Sequence, residues 1–180
     1  MARLIALGPF ADLLPVKIGT VTCTEIVRDG LWSVAPYQGK AEAVSAQMQV
    51  QLGLGLSAVN RRDVAGETIC QWIGHGQWLV NAPVALDGLA AVTDQSDGWA
   101  AVAIAGDAVT DVLARLLPLD LRAGVFATGQ TARSLLDQMP VSITRTGAQQ
   151  FEIMVMRSMA ASLVQDLTVA MSGVAARDAP

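Results

Sequence analysis

The stretch DGWAAVAIAGDAVTDVLARLLPLDL, residues 97–121, decides the fold. Its apolar run WAAVAI predicts a strand that is buried on both faces. Gly106 and Asp107 then predict a turn, and the apolar residues after it have the spacing of one helix face: Val109, Val112, Leu113, Leu116 and Leu117. Pro118 ends this predicted helix. Because the stretch contains no phosphate-binding loop and no catalytic pattern, its signal is structural.

Upstream of this stretch the sequence predicts two β-hairpins. Their strands are VTCTEIV (21–27) with LWSVAPY (31–37), and ETICQWI (67–73) with QWLVNA (77–82). The segments Arg28-Asp29-Gly30 and Gly74-His75-Gly76 have the glycine content of tight turns. We therefore expect each pair of strands to be adjacent in a sheet.

Helices are predicted in three further places. Residues 41–54 place Val44, Met48 and Leu52 on one apolar stripe, which Gly53 and Gly55 end. Pro83 predicts the start of a short helix over about 84–92. A last helix is expected to begin at Ser158 as its N-cap and to end at Gly173. Its apolar stripe is Ala160, Leu163, Val164, Leu167 and Met171.

The two halves of the chain follow a similar order of elements. Three more strands are predicted before the last helix, over about 130–138, 141–146 and 151–156. GHGQWLV at Gly74 and GAQQFEI at Gly147 share a glycine, a glutamine, an aromatic and an aliphatic residue at a constant offset. We therefore predict an α+β fold, a single domain over 1–180, made of two similar lobes at about 20–92 and 93–173. Each lobe is a mostly antiparallel sheet covered by helices.

Composition excludes several function classes. The net charge is −4 and the basic residues are scattered, so no surface is expected for nucleic acid. The longest uninterrupted apolar run, Trp99 to Ala105, is too short to cross a membrane. Residues 1–17 are interpreted as an ordered N-terminal arm rather than a signal peptide. A soluble cytoplasmic protein is expected, in which Cys23 and Cys70 are free buried thiols; a disulfide is the alternative.

The candidate chemical patterns have structural interpretations. His75 lies between two glycines at a predicted hairpin tip, and Cys70 lacks a third partner for a catalytic dyad. GLGLSA, residues 53–58, matches a dinucleotide fingerprint, but here a helix precedes the glycines, whereas the fingerprint needs a strand there. Asp94 and Asp97 are interpreted as turn residues. Asp111 and Arg115 have the i, i+4 spacing of a helix ion pair.

Several segments together resemble the gamma subunit of heterotetrameric sarcosine oxidase over about residues 20–172. They are TDQSDGWAAVAIAGDAVTDVLARLLPLDL, FATGQTARSLLDQMPVSI, FEIMVMRSMAASLVQDL, LGLGLSAVNRR and IGHGQWLV. The most specific positions are Asp97, Gly106, Pro118-Leu119-Asp120-Leu121, Thr131-Ala132-Arg133 with Leu135, and Arg157-Ser158. That family is similar to the folate-binding domain of aminomethyltransferases, which has two similar lobes.

The resemblance implies a non-catalytic subunit in a complex with alpha, beta and delta subunits. That complex demethylates sarcosine oxidatively to glycine, with hydrogen peroxide and methylene-tetrahydrofolate as further products. FAD, FMN and NAD belong to the larger subunits and tetrahydrofolate to the complete complex, so no cofactor is expected in this chain. No catalytic, cofactor-binding or metal-ligating residue is assigned to it.

The chain departs from the family pattern at two places. Gly74-His75-Gly76-Gln77-Trp78-Leu79 stands where the family tends to have Gly-Pro-Asp-Glu-Trp-Leu, and Leu117 stands where a cysteine often precedes Pro-Leu-Asp-Leu. No acidic residue matches the folate-activating carboxylate of true aminomethyltransferases. The alternative is a stand-alone, folate-binding aminomethyltransferase-like protein that uses a cleft between the lobes, which would need a carboxylate within reach of a pterin.

Apolar content sets a further expectation about partners. The chain is 52% hydrophobic and 16% charged, so two small lobes are not expected to bury all of its large apolar groups, which include Trp32, Trp72, Trp78 and Trp99. We expect an exposed apolar patch where a partner binds. The isolated chain is accordingly expected to dimerise or aggregate.

Overall fold

The computed structural model describes residues 7–178. Its strands are β1 (Val16–Ile18), β2 (Val21–Ile26), β3 (Trp32–Pro36), β4 (Arg62–Ala65), β5 (Thr68–Gly74), β6 (Gln77–Val80), β7 (Ala90–Asp94), β8 (Trp99–Gly106), β9 (Thr131–Leu136), β10 (Met139–Gly147) and β11 (Gln150–Met156). Its helices are α1 (Ala41–Leu52), α2 (Val109–Leu113) and α3 (Ala160–Asp178), the last preceded by a 3₁₀ turn at Arg157–Met159. The predicted α+β class is confirmed.

The strands form two antiparallel sheets. The six-stranded sheet has the order β1-β2-β8-β11-β10-β9, and the five-stranded sheet has the order β4-β5-β6-β3-β7. The predicted hairpin of 67–73 with 77–82 is confirmed as β5 and β6. The three strands predicted over 130–156 are confirmed as the consecutive antiparallel strands β9, β10 and β11.

The predicted hairpin of 21–27 with 31–37 is wrong. Strand β2 pairs with β8 and not with β3, while β7, which leads into β8, pairs with β3. The chain therefore crosses from the six-stranded to the five-stranded sheet between β2 and β3, at residues 28–30, and returns between β7 and β8. A glycine-containing polar segment suits a tight turn and a crossover equally well, so the local pattern did not distinguish them. The six-stranded sheet therefore includes β2 from the first predicted lobe, about 20–92, beside strands from the second, about 93–173.

The repeated glycine and glutamine occupy equivalent positions in two hairpins. Gly74 pairs with Gln77 across β5 and β6, and Gly147 pairs with Gln150 across β10 and β11. A one-residue shift of register precedes each glycine. The similarity that the sequence predicted at this offset is therefore present in the register of the strands.

The two sheets meet at an approximate two-fold axis. An isolated antiparallel bridge joins Arg61 to Gln130. Reciprocal backbone hydrogen bonds flank it, from Arg62 N to Gly129 O (2.8 Å) and from Thr131 N to Asn60 O (2.9 Å). Two further hydrogen bonds are equivalent to each other, from Trp72 N to Arg61 O and from Arg145 N to Gln130 O, both 3.0 Å. The start of β4 and the start of β9 are thus equivalent under this axis.

Each sheet has an outer face under helices and an inner face towards the other sheet. Helices α2 and α3 cover the outer face of the six-stranded sheet, where Val102, Ile104 and Ile153 are fully buried. Helix α1 covers the outer face of the five-stranded sheet over Val34 and Cys70. A smaller apolar cluster lies between the sheets; it contains Leu31, Ile73, Leu79, Ala101 and Met154. Strand β8 is therefore buried on both faces, as its continuous apolar sequence predicted.

Helix limits differ from the prediction in the middle of the chain. Helix α1 ends at Leu52, and Gly53 follows with a positive φ of 75°, as predicted. The helix predicted over 84–92 is absent: residues 84–89 form a loop and turn, and the last three residues begin strand β7, whose pairing with β3 overrides the local preference. Helix α2 ends at Leu113, although Val109, Val112, Leu113 and Leu117 are buried as the stripe predicted.

Helix α3 is longer than predicted. Ser158 lies inside the 3₁₀ turn and the helix continues past Gly173, where a Cβ atom would lie 3.6 Å from the Arg115 guanidinium carbon. A Cβ atom at this distance would make an ordinary van der Waals contact, so Gly173 is a position inside α3 and does not end it. The stripe of Ala160, Leu163, Val164, Leu167 and Met171 is buried. By length and composition, Arg157–Arg177 could cross a membrane, but here its apolar stripe packs against the six-stranded sheet.

Two positions have specific structural roles in and beside the six-stranded sheet. Gly106 has φ 141°, and a Cβ atom there would lie 1.9 Å from Thr20 O, so glycine is required where β8 passes the β1–β2 turn. Phe10 anchors the described part of the predicted N-terminal arm in the core beneath the helices. Residues 1–6 of that arm lie outside the described residues.

Candidate functional site

The two cysteines lie in separate apolar cores. Cys23 is buried among the residues under α2 and α3, and Cys70 under α1, so both are free thiols. Burial raises the pKa of Cys23 to about 12 and also raises that of Cys70. His75 is exposed at the β5–β6 turn. Within residues 7–178 no group of three His, Cys, Asp or Glu side chains is placed to hold a metal ion.

The other patterns singled out in the sequence have structural roles. Gly53 donates its N–H to Gln49 O at 3.1 Å, so GLGLSA is the end of a helix. Asp94 accepts a hydrogen bond from Ser96 N at 2.9 Å within the turn before β8, and hydrogen bonds from Ser96 lower the pKa of that carboxyl. The ion pair predicted between Asp111 and Arg115 is absent from the described part of the chain, because α2 ends before Arg115.

A buried ion cluster of Glu152, Arg62 and Arg28 lies between the sheets. Glu152 extends from β11 and accepts hydrogen bonds from Arg28 Nη2 at 2.7 Å and from Arg62 Nη1 at 2.9 Å; Arg62 Nη2 bonds its other oxygen. Arg62 Nε also donates to Gln71 Oε1 at 2.8 Å, and Gln71 Nε2 donates to Ser142 Oγ at 2.8 Å. The cluster therefore joins β4 and β5 to β10 and β11.

The charges in this cluster compensate one another. Burial alone raises the pKa of Glu152, but the guanidinium groups of Arg62 and Arg28 outweigh burial and hold it below its ordinary value. Both carboxylate oxygens are already engaged by guanidinium groups. This arrangement suits a fixed anion that joins two sheets and does not suit a proton-transfer group.

The ion cluster has little signal in the amino-acid sequence, and none of its residues was predicted as a site. Its only local signals were a charged residue inside the apolar strand FEIMVM and the pair Arg61-Arg62. Neither signal indicates which residue is the partner, because Arg62 and Glu152 are 90 positions apart in the chain. A buried charge almost always needs a partner, so Glu152 was the residue from which a search could have begun.

A cleft of about 340 Å³ lies where the two crossovers, residues 27–31 and 95–98, approach each other. We call it the crossover cleft. Its apolar floor includes Ile26, Leu31 and Met154, and Trp99 forms one wall. Its volume lies at the small end of the range for small-molecule sites.

The polar groups of the crossover cleft are mostly at its rim. Asp29 and Asp97 are exposed and Glu25 is half-buried. Arg28 reaches from the cleft to the ion cluster, where it bonds Glu152. The buried carboxylate nearest to this region is thus neutralised, and the remaining carboxylates lie in contact with solvent.

No family model matches the chain, and no curated protein matches it in sequence. Solved structures do match. A chain of heterotetrameric sarcosine oxidase from Corynebacterium sp. U-96, in complex with pyrrole 2-carboxylate, superposes with a TM-score of 0.80 at 23% identity. The match covers 94% of this chain and 96% of that one.

A second match is the glycine cleavage system aminomethyltransferase T from Bartonella henselae, with a TM-score of 0.57 at 18% identity. It covers 83% of this chain and 46% of that chain, so the protein spans about half the length of the aminomethyltransferase. The chain therefore has the fold of these two structures: two antiparallel sheets facing each other, with helices on the outside.

Proposed function

We propose that the chain is a non-catalytic subunit of a sarcosine oxidase complex, equivalent to its gamma subunit and acting in the cytoplasm with alpha, beta and delta subunits. The observation that carries this proposal is the nearly complete mutual coverage, 94% and 96%, with a chain of a heterotetrameric sarcosine oxidase. The aminomethyltransferase of the second match is a longer chain, of which this protein covers only 46%. The sequence motifs and the fold thus both resemble sarcosine oxidase.

The chemistry of the described residues supports a non-catalytic role. Glu152 is buried but held as an anion by two arginines, the two thiols are buried, and His75 is exposed on a turn. None of these groups combines a free proton-transfer function with an enclosed site. In the proposed complex the larger subunits carry the flavins, NAD and the oxidation chemistry, and this chain contributes structure.

The test is reconstitution with and without partners. The tagged chain should be expressed alone and together with the alpha, beta and delta subunits from its native source. We expect the isolated chain to be colourless and inactive towards sarcosine, and the co-expressed chain to purify in a flavin-containing complex that forms peroxide from sarcosine. A flavin spectrum in the isolated chain, or no association with those subunits, would overturn the proposal.

The alternative is a stand-alone folate-binding protein, and the crossover cleft is the observation in its favour. The cleft has an aromatic wall and the carboxylates of Glu25 and Asp97 within a volume suited to a small ligand. Titration of the isolated chain with tetrahydrofolate separates the two functions. Saturable binding that is lost in Glu25→Gln and kept in Asp87→Asn, a variant of an acidic residue outside the cleft, would favour the alternative.

A further inference from the structure

The inner face of the six-stranded sheet extends beyond the cover that the five-stranded sheet supplies. Ala101 and Met154 lie in the apolar cluster between the sheets. Trp99 and Met156, each two positions away on the same strand, point to the same face because side chains alternate along a strand. Leu31, Ile73 and Leu79 cover the first pair, whereas Met156 is 45% exposed.

Among residues 7–178, four side chains form one apolar row across the part of the sheet that the five-stranded sheet does not cover. Trp99 pairs with Met156, and Leu135 pairs with Pro140. The pairing of Ser142 with Met154 places Pro140 beside Met156. We call Trp99, Met156, Pro140 and Leu135 the apolar row. It crosses four adjacent strands, a distance of about 14 Å at the usual strand spacing.

The composition of the apolar row is unusual for a sheet face in water. Such faces normally carry polar residues on the solvated side, yet Leu135 is 50% exposed and no member of the row is polar. Other exposed apolar residues, such as Val50 on α1 and Val169 on α3, lie on separate elements. Isolated exposures of that kind are ordinary, whereas a contiguous row marks a binding surface.

The charged groups beside the row are cationic. The guanidinium carbon of Arg133 lies 5.6 Å from the centre of the Trp99 ring. Arg157 follows Met156 and donates to Leu7 O at 2.8 Å. Among residues 7–178, neither arginine lies within 4.0 Å of a carboxylate. Tryptophan, methionine and arginine are the residue types that are enriched in the cores of protein interfaces.

We infer that the apolar row, with Arg133 and Arg157 beside it, binds an apolar segment of another subunit that presents a carboxylate to these arginines. This inference rests on the proposed function and identifies the face that contacts the complex. A second copy of this chain fits less well, because a symmetric contact centred on the row would bring the arginines of both copies together. A different subunit with an acidic group supplies the complementary charge.

The experiment compares assembly of variants with the co-expressed alpha, beta and delta subunits. Arg133→Glu reverses the central charge, Leu135→Asp places a carboxylate in the row, and Val64→Asp is the matched control on a strand of the other sheet, where Val64 is 62% exposed. Circular dichroism and thermal unfolding of each isolated chain check that it folds. Arg133→Lys keeps the charge and should retain assembly.

We expect Arg133→Glu and Leu135→Asp to weaken assembly by about tenfold or more, with Val64→Asp unchanged. If the wild type and all variants assemble equally, the row is not the interface and the proposed function stands. If the wild type does not assemble with these subunits, both proposals fail. If the wild type forms a dimer that Leu135→Asp disrupts and binds no other subunit, the occupant is a second copy and this inference is wrong.

Discussion

The outer and inner faces of the two sheets are stabilised in different ways. The outer faces pack mainly apolar residues against helices, as Leu163 and Leu167 of α3 do over the six-stranded sheet. Arg145 is a buried charge on that face, where its guanidinium carbon lies 4.3 Å from the centre of the Phe151 ring. The inner faces combine an apolar cluster with the ion cluster of Glu152, Arg62 and Arg28. Apolar contact is non-directional, whereas a hydrogen-bonded ion cluster needs specific geometry. The outer faces therefore supply most of the free energy of folding, and the inner faces determine how the sheets align.

The largest expected effect comes from removing the anion between the sheets. Glu152→Ala leaves Arg62 buried without a carboxylate, and we expect the free energy of unfolding to fall by about 3–5 kcal/mol. Urea denaturation followed by tryptophan fluorescence measures this change. A loss below about 1 kcal/mol would show that the inner faces do not depend on the ion cluster.

A double variant sharpens this comparison. Arg62→Met with Glu152→Met replaces the buried pair by apolar groups, and Arg28 can reach solvent because its side chain is 16% exposed. We expect this variant to be more stable than Glu152→Ala, since it leaves no buried charge unpaired. The same denaturation experiment tests it. If it is less stable than Glu152→Ala, the ion cluster contributes stability that apolar packing cannot replace.

Truncation on an outer face should have a somewhat smaller effect. Leu163 is fully buried under α3, and Leu163→Ala should lower the free energy of unfolding by about 3 kcal/mol through lost burial and a cavity. Val169→Ala on the same helix is the control, because Val169 is 66% exposed and should change stability by no more than about 0.5 kcal/mol. Equal effects at the two positions would contradict the packing of α3.

Acid should weaken the inner faces before the outer ones. The pKa of Glu152 is lower in the folded protein than in the unfolded chain, where it is about 4.3. Its ionised form therefore contributes stability above the unfolded-state pKa, and this contribution is lost as pH falls through the folded-state pKa. Stability curves of the wild type and Glu152→Gln should converge on acidification. Parallel curves between pH 7 and pH 3 would rule out this role of Glu152.

The smallest effect is expected at an exposed ion pair. Arg122 bonds Asp120 on the surface, and the hydrogen bonds and charge of Arg122 lower the pKa of that carboxyl to about 2. Arg122→Ala should return the pKa of Asp120 towards its ordinary value, as an NMR titration would show. The midpoint of thermal unfolding should not change, because exposed pairs are screened by solvent. A lower midpoint would mean that the loop depends on this contact.

The sequence predicted the outer faces well because their signals are local. The stripes of α1 and α3 and the continuous apolar run of β8 each report burial through spacing alone. Predictions failed where a segment had two local solutions. The end of segment 84–92 became a strand because it pairs with β3, which is distant in sequence. Segment 28–30 became a crossover because β2, before it, and β3, after it, pair in different sheets. The ion cluster was not predicted for the same reason, because its residues are distant in sequence and no local pattern indicates which of them pair.

The amino-acid sequence by itself determined the class of fold, the hairpin of β5 and β6, the strands after residue 130 and the buried stripes of its helices. It also contained the repeat of Gly74 at Gly147, 73 residues later, and the two glycines occupy equivalent positions in the β5–β6 and β10–β11 hairpins. Only the tertiary structure decided the pairing of β2 with β8 and of β7 with β3, the pairing of Glu152 with Arg62, and the exposure of the apolar row. Side-chain periodicity records which face of an element is buried, but pairing between distant strands depends on long-range register and charge compensation, which no local pattern contains.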